Sequence, residues 1–155
     1  MKTNLFRRRL LLASLALGLP GLAAATSAKP LVEVWKSPYC GCCKDWVAHL
    51  TDNGFTVRTH EVGDLDGARR KLGMPERFAS CHTAKVGGYL LEGHVPAREI
   101  ERLLKEKPAA VGLAVPGMPV GSPGMDGPAY GGRRDAYAVL LVQRDGSYRV
   151  FEQYR

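Results

Sequence analysis

Three of the four cysteines of this chain are packed into one tetrapeptide, Cys40-Gly41-Cys42-Cys43. The residues before it, 31–37, alternate in polarity and are rich in β-forming side chains, which predicts a strand. The residues after it, 43–53, carry apolar side chains at helical spacing. The cysteines therefore lie where a strand turns into a helix, and the free N–H groups and dipole of a helix start favour thiolates.

The pattern that follows predicts one mixed α/β domain. We expect a second strand at 55–62, a helix at 64–72, hairpin strands at 83–86 and 89–92, and a third helix at 96–105. The dipeptide Gly87-Gly88 is typical of the tight turn that such a hairpin needs. The resulting order, β-α-β-α-β-β-α, is that of the thioredoxin-like fold.

Residues 112–132, here called the Gly/Pro segment, contain seven glycines and four prolines. This composition resists helix and strand alike, and long unstructured loops are usually functional lids or linkers. We expect the segment to fold as a lid over the cysteines; a simple connector is the alternative. Beyond it, strands at 136–143 and 147–153 around Asp145-Gly146 predict a C-terminal β-hairpin.

Residues 1–25 are expected to be a cleavable signal peptide. Basic residues end at Arg9, an apolar run covers 10–19, and Ala23-Ala24-Ala25 suits a signal peptidase. The apolar run is shorter than the roughly 20 residues of a membrane-spanning helix. An uncleaved anchor and a twin-arginine signal at Arg8-Arg9 are the alternatives. We expect residues 26–155 to form a single periplasmic domain.

Most of the net positive charge of the chain comes from this expected signal peptide. The formal charge is +7, from 22 basic and 15 acidic residues, and four of the basic residues lie within the first nine positions. Without them the charge falls to +3. The sequence therefore predicts no nucleic-acid partner, and no segment of the mature chain is apolar enough for stable membrane insertion.

The cysteines allow three interpretations. Two structural disulfides are one, although a loop closed within four residues constrains the unfolded chain very little. A thiol–disulfide oxidoreductase is the second, because Cys40 and Cys43 form a C-x-x-C pair at a helix start. A soft metal site is the third, because thiolates are soft ligands.

Cys81 and His82 favour the metal site. They come just before the third strand, in the loop that carries a cis-proline in thioredoxin-like proteins, and here they add a thiol and an imidazole. Four thiolates on one Zn²⁺ leave a charge of −2, whereas four thiolates on four Cu(I) ions are neutral. A Cu(I) cluster is therefore the better match, with zinc and iron–sulfur as alternatives.

Three further side chains are candidates for secondary copper contacts. Met118 and Met125 each follow a glycine in the Gly/Pro segment, where a thioether can bind Cu(I) or simply fill a gap in the core. His94 either joins the site or merely precedes the third helix. We assign His49 and His60 to surface or packing roles.

Four motifs in this order resemble the CopG-type periplasmic copper-resistance proteins, a thioredoxin-like family long labelled as of unknown function. They are Ser37-Pro38 through Cys40-Gly41-Cys42-Cys43-Lys44, Ser80-Cys81-His82-Thr83, Glu92-Gly93-His94-Val95-Pro96-Ala97 and residues 112–119. The resemblance implies a thiolate-bridged multinuclear copper cluster on the four cysteines with His82 nearby. It also implies a role in copper tolerance, through Cu(I)/Cu(II) interconversion for partner copper proteins.

The leading prediction is thus a periplasmic copper-binding protein that contributes to copper resistance, with other periplasmic copper-handling proteins as partners. In this interpretation the cysteines are metal ligands, and no residue is assigned a catalytic role. The rival is an enzyme, a thiol–disulfide oxidoreductase that uses Cys40 and Cys43. A binding module stapled by disulfides is a third possibility, and it would leave no free thiol.

Overall fold

The computed structural model describes residues 28–155. The expected signal peptide at 1–25 lies outside the described residues. Three helices and one seven-stranded sheet make up the domain. The strands are β1 (Val32–Lys36), β2 (Val57–Glu61), β3 (His82–Val86), β4 (Tyr89–Glu92), β5 (Gly112–Ala114), β6 (Tyr137–Val142) and β7 (Tyr148–Tyr154). The helices are α1 (Gly41–Asp52), α2 (Leu65–Leu72) and α3 (Ala97–Glu106).

Apolar periodicity explains where these elements pack. Val32 and Val34 alternate with half-buried neighbours along β1, so that one face of the strand is fully covered. Helix α1 buries Trp46 and α3 buries Ile100 and Leu103 in the same core. Truncating a buried Leu or Ile to alanine costs about 2–5 kcal/mol, so these faces hold the helices on the sheet.

The topology collects the site at one edge of the sheet. The strand order is β2-β1-β3-β4-β5-β6-β7, with β1 parallel to β2 and antiparallel to β3. In this register Lys36, the last residue of β1, pairs with His82, the first residue of β3. The turn into α1, which carries three cysteines, therefore lies beside Cys81.

The next two strand pairings bring further residues to the same edge. Strand β4 is antiparallel to β3 and pairs Glu92 with Thr83, so its carboxyl end also points toward the start of β3. Strand β5 is parallel to β4 and pairs Ala114 with Glu92. The chain consequently leaves β4 at Gly93 and β5 at Val115 close to the cysteines.

The predicted α/β class and the predicted order of elements are confirmed, including the C-terminal hairpin of β6 and β7. One expectation was wrong: the Gly/Pro segment does not resist strand formation throughout, because its first three residues form β5. Leu113 is apolar and fully buried there. Gly112 is required, since a Cβ atom at this position would lie 1.8 Å from the Leu90 carbonyl oxygen. Within residues 28–155, no helix has the length and apolarity to cross a membrane.

Candidate metal centre

The four cysteine sulfur atoms converge on one place. Cys40 precedes the first residue of α1, which starts at Gly41, and Cys42 and Cys43 lie in its first turn. The Sγ atoms of Cys40 and Cys42 are 3.5 Å apart, and those of Cys42 and Cys81 are 3.9 Å apart. All four Sγ atoms lie within 4.8 Å of one another. Such a set of soft donors can hold more than one metal ion through shared sulfur.

Two of these cysteines are joined in the structure. A disulfide links Cys40 and Cys43, whose Cα atoms are 5.3 Å apart, while Cys42 and Cys81 are free thiols. A second structural disulfide is therefore not present among the four cysteines. Thiolates are the metal-binding form of cysteine, so full use of all four sulfurs requires reduction of the Cys40–Cys43 bond.

Cys81 is the thiol with the most unusual environment. Burial raises its pKa to about 12, and the neighbouring Cys42 adds to the increase. Its Sγ atom lies 3.4 Å from Nδ1 of His82 and 3.0 Å from Nε2 of His94. Cys81 is therefore a thiol whose surroundings disfavour the thiolate, placed against two imidazoles.

The His94 ring lies directly against the cysteine cluster. The ring is buried, and its Nδ1 lies 2.8 Å from the Pro123 carbonyl oxygen. A carbonyl only accepts hydrogen bonds, so Nδ1 carries the proton and the lone pair of Nε2 faces Cys81. Burial also lowers the pKa of His94, which keeps the ring neutral at physiological pH. A carbonyl that orients an imidazole in this way is typical of metal-ligating histidines.

His82 is a neutral imidazole in the interior. It is fully buried, packs against Trp46 with ring centroids 4.2 Å apart and ring planes tilted by 36°, and forms an edge-to-face pair with His94 at 5.1 Å. Burial lowers its pKa well below the usual range, and electrostatic interactions with His94 and Lys36 act in the same direction. Cys81, His82 and His94 form a second group of donors whose ligand atoms lie within 4.8 Å of one another.

The Gly/Pro segment packs against the cysteine helix. A Cβ atom at Gly124, whose φ is +85°, would lie 2.7 Å from both the Cys42 carbonyl oxygen and the Trp46 backbone nitrogen. Only glycine allows this approach and this conformation. Because Pro123 also accepts the hydrogen bond from His94, the segment covers this part of the site.

The two methionines of the Gly/Pro segment differ in their surroundings. Met125 is buried and its Sδ atom lies 3.1 Å from the Tyr130 hydroxyl group, which donates to it. The Met118 side chain is 52% exposed. Their copper contacts stay predictions, and Met118 is the more exposed of the two residues.

His49 and His60 occupy the packing and surface positions expected for them. His49 Nε2 accepts a hydrogen bond from the Ala97 N–H at 3.1 Å, and so helps to start α3. His60 stacks on Trp35 and lies 3.3 Å from a carboxylate oxygen of Glu33.

Sequence analysis assigned no role to Arg69 or to the side chain of Glu92. Both are fully buried, and they form an ion pair with a distance of 2.9 Å between Arg69 Nε and Glu92 Oε1. Charged residues are almost never fully buried unless they are paired. No local pattern predicts the pair, because its members lie on different elements and 23 residues apart.

Comparisons with family models and with solved structures both find relatives of this chain. The family model for a protein of unknown function, DUF411, matches residues 78–125, which include Cys81, His82 and His94. No curated protein sequence matches the chain significantly. Two solved structures do match, forms 2 and 1 of the copper resistance protein CopG, both with 45% sequence identity.

The match to these two structures extends over most of the chain. The TM-scores are 0.76 and 0.75; the alignments cover 82% and 81% of this chain, and 99% and 98% of the CopG chains. A sequence identity of 45% over 82% and 81% of this chain is sufficient to assign a common family and fold. The chain therefore belongs to the CopG family of copper resistance proteins.

Proposed function

We propose that this chain binds Cu(I) in a multinuclear cluster bridged by the thiolates of Cys40, Cys42, Cys43 and Cys81, with His82 beside it, and thereby contributes to copper resistance. The observation that carries the proposal is the convergence of four sulfur atoms within 4.8 Å. The names of the related CopG structures give independent support for a copper-related role. Copper is here the cargo of the protein.

Charge favours copper over zinc at this place. Cys43 is fully buried and the other three cysteines are half-buried. One Zn²⁺ on four thiolates keeps two negative charges in a poorly solvated site, and an uncompensated buried charge is costly. Equal numbers of Cu(I) ions and thiolates sum to zero. The imidazoles of His82 and His94 are neutral and leave this balance unchanged.

The disulfide gives the site a redox step. Reduction of the Cys40–Cys43 bond takes two electrons and yields the two thiolates that a full cluster requires. Cluster formation takes these electrons from an external thiol reductant. In the opposite direction, closure of the disulfide by the two thiolates releases two electrons, which reduce two Cu(II) ions to Cu(I), so two copper ions match one disulfide. Interconversion of Cu(I) and Cu(II), or transfer of copper to periplasmic partner proteins, is therefore the activity we assign to the cluster.

The proposal includes export to the periplasm by the segment at 1–25. A copper-handling site with an oxidised cysteine pair suits an oxidising compartment better than the cytosol. His94, Met118 and Met125 are assigned as secondary copper contacts. Nucleic acids are not among the proposed partners.

Anaerobic titration of the fully reduced protein with Cu(I), followed by elemental analysis, tests the proposal. We expect a plateau at several copper ions per chain and retention of copper in the presence of competing zinc. A plateau at one metal per chain, or preference for zinc, would contradict the cluster.

The second candidate function is that of a thiol–disulfide oxidoreductase. The observation in its favour is the Cys40–Cys43 disulfide at the start of α1, where the helix dipole stabilises a thiolate leaving group. This function predicts that the apoprotein reduces insulin disulfides and that replacement of Cys42 or Cys81 changes little. The copper function predicts weak reductase activity and loss of metal with either replacement.

A further inference from the structure

A buried ion pair lies directly behind the Cys81 side of the site. Arg69 of α2 and Glu92 of β4 have side chains that are 1% and 0% exposed, and Arg69 Nε donates to Glu92 Oε1 at 2.9 Å. A pair of this kind is weak evidence for stability, because the cost of desolvating both charges offsets most of their attraction. Its hydrogen bonds to neighbouring groups are therefore more informative than its charge.

Those hydrogen bonds hold both backbone polar groups of Ser80. The Ser80 N–H donates to Glu92 Oε1 at 2.7 Å, and Arg69 Nη2 donates to the Ser80 carbonyl oxygen at 2.8 Å. Ser80 immediately precedes Cys81. The ion pair thus restrains the peptide from which the Cys81 side chain projects.

The Arg69–Glu92 ion pair is also linked to His94, which lies on the other side of Cys81. Gly93 follows Glu92 and donates its N–H to the His82 carbonyl oxygen at 3.0 Å. His94 comes next and presents Nε2 at 3.0 Å from Cys81 Sγ. One carboxylate therefore anchors the two chain segments that bring this thiol and this imidazole together.

The restraint extends to the Gly/Pro segment. The Ser80 hydroxyl group donates to the Gly117 carbonyl oxygen, and the Gly117 N–H donates to the Ala79 carbonyl oxygen at 3.3 Å. A Cβ atom at Gly93 would lie 2.5 Å from Ser80 Oγ and 2.4 Å from the Val115 carbonyl oxygen. The three segments are packed too closely to move independently.

We infer that Arg69 and Glu92 are positioning residues, which set the Cys81 thiol against Cys42 and His94 for metal loading. They act through Ser80 and form no hydrogen bond with any of the four cysteine sulfur atoms. The copper measurement below rests on the proposed function, whereas the thiol measurement does not.

The test is the double variant Arg69→Met/Glu92→Gln, which removes both charges while preserving much of the buried volume. The matched control is Arg70→Met/Glu76→Gln, because Arg70 and Glu76 form an exposed ion pair of the same residue types that begins one position further along α2. Circular dichroism and thermal unfolding report folding of each variant. The rate of alkylation of each cysteine in the reduced, metal-free protein is read by peptide mass spectrometry, and affinity is measured with Cu(I) alone.

We expect Cys81 of the folded double variant to be alkylated several-fold faster than in the wild type, with the rate at Cys42 unchanged. Loss of such outer contacts typically costs about 10- to 100-fold in metal affinity, and we expect a decrease in this range for Cu(I). The control variant should match the wild type in both measurements.

A folded double variant with wild-type alkylation of Cys81 and wild-type copper affinity would overturn the inference. If Cys81 becomes reactive while the wild type itself binds no Cu(I), the positioning role stands and the proposed function fails. If the double variant unfolds, Arg69→Lys decides, because lysine keeps the charge opposite Glu92 and loses the second N–H that holds Ser80. Unchanged reactivity of Cys81 in that variant would equally overturn the inference.

Discussion

The site has two sides that are built differently. The thiol turn, Cys40, Cys42 and Cys43, lies within four consecutive residues at the start of one helix and contains the disulfide. The imidazole side consists of Cys81, His82 and His94 and is mostly buried. It is assembled from the start of β3 and from the residues that follow the end of β4, which lie next to each other in this antiparallel pair. The thiol turn holds a disulfide within itself, whereas the imidazole side contributes a single thiol, Cys81, whose Sγ atom lies 3.9 Å from that of Cys42.

This difference suggests a division of labour. Two neutral rings, one oriented by the Pro123 carbonyl and one packed against Trp46, form the floor under Cys81. The thiol turn lies above that floor at the start of α1, outside the strands of the sheet. Under the proposed function, copper binding would depend on both sides, and the redox step on the thiol turn alone.

Loss of one bridging thiolate should have the largest effect on copper binding. Cys42→Ser and Cys81→Ser each take a sulfur from a different side, and we expect either to abolish binding of the full copper complement. Metal analysis after anaerobic loading provides the measurement, and insulin reduction by the same variants is the control. Unchanged copper content in Cys42→Ser with altered reductase activity would transfer the function to the oxidoreductase.

Removal of the imidazole should have a smaller effect. His94→Gln keeps a polar side chain but removes the nitrogen that faces Cys81, and we expect copper affinity to fall about 10- to 100-fold. Competition with a Cu(I) chelator measures the change. The control is His60→Gln, at a surface histidine that pairs with Glu33. Equal affinities for the two variants would remove His94 from the site.

Reduction of the disulfide should cost little stability. The bond closes a loop with a sequence separation of three residues. For so short a loop, the entropic model gives about 2 kcal/mol. Urea unfolding of the metal-free protein with and without a reductant measures the difference. A loss of more than about 4 kcal/mol would show that the thiol turn is a structural staple, contrary to the comparison above.

The thioethers of Met118 and Met125 should contribute least to copper binding and transfer. Replacing Met118 and Met125 together by leucine nearly preserves volume and removes both sulfur atoms. We expect a fall of a few fold in the rate of copper transfer, and little change in the fold. Wild-type affinity and transfer rates in a folded variant would end the thioether proposal.

Local patterns were sufficient to predict much of the fold. Apolar periodicity located all three helices and six of the strands, because each of these elements buries a regular face. Strand β5 was missed since three residues carry too little periodicity, and its pairing with β4 depends on the close approach of Gly112 to Leu90.

The thiol turn and the imidazole side also differed in how much of each could be predicted from the sequence. The thiol turn is visible in four letters of sequence, and Cys81 with His82 could be placed from the predicted order of strands. The contact between His94 and Cys81 could not be predicted, because it needs the β3–β4 register and a carbonyl from Pro123. The Arg69–Glu92 pair was hidden for the same reason: an arginine on a short polar helix is normally exposed.

Native mass spectrometry of the reduced protein during stepwise addition of Cu(I) tests the central claim most directly, because it resolves each metal-bound state. If thiolates are shared between copper ions, filling is cooperative, and the chain should pass from the metal-free form to a multi-copper form with little one-copper species. A dominant one-copper species at every ratio, or displacement of copper by an equal concentration of zinc, would contradict a shared-thiolate copper cluster.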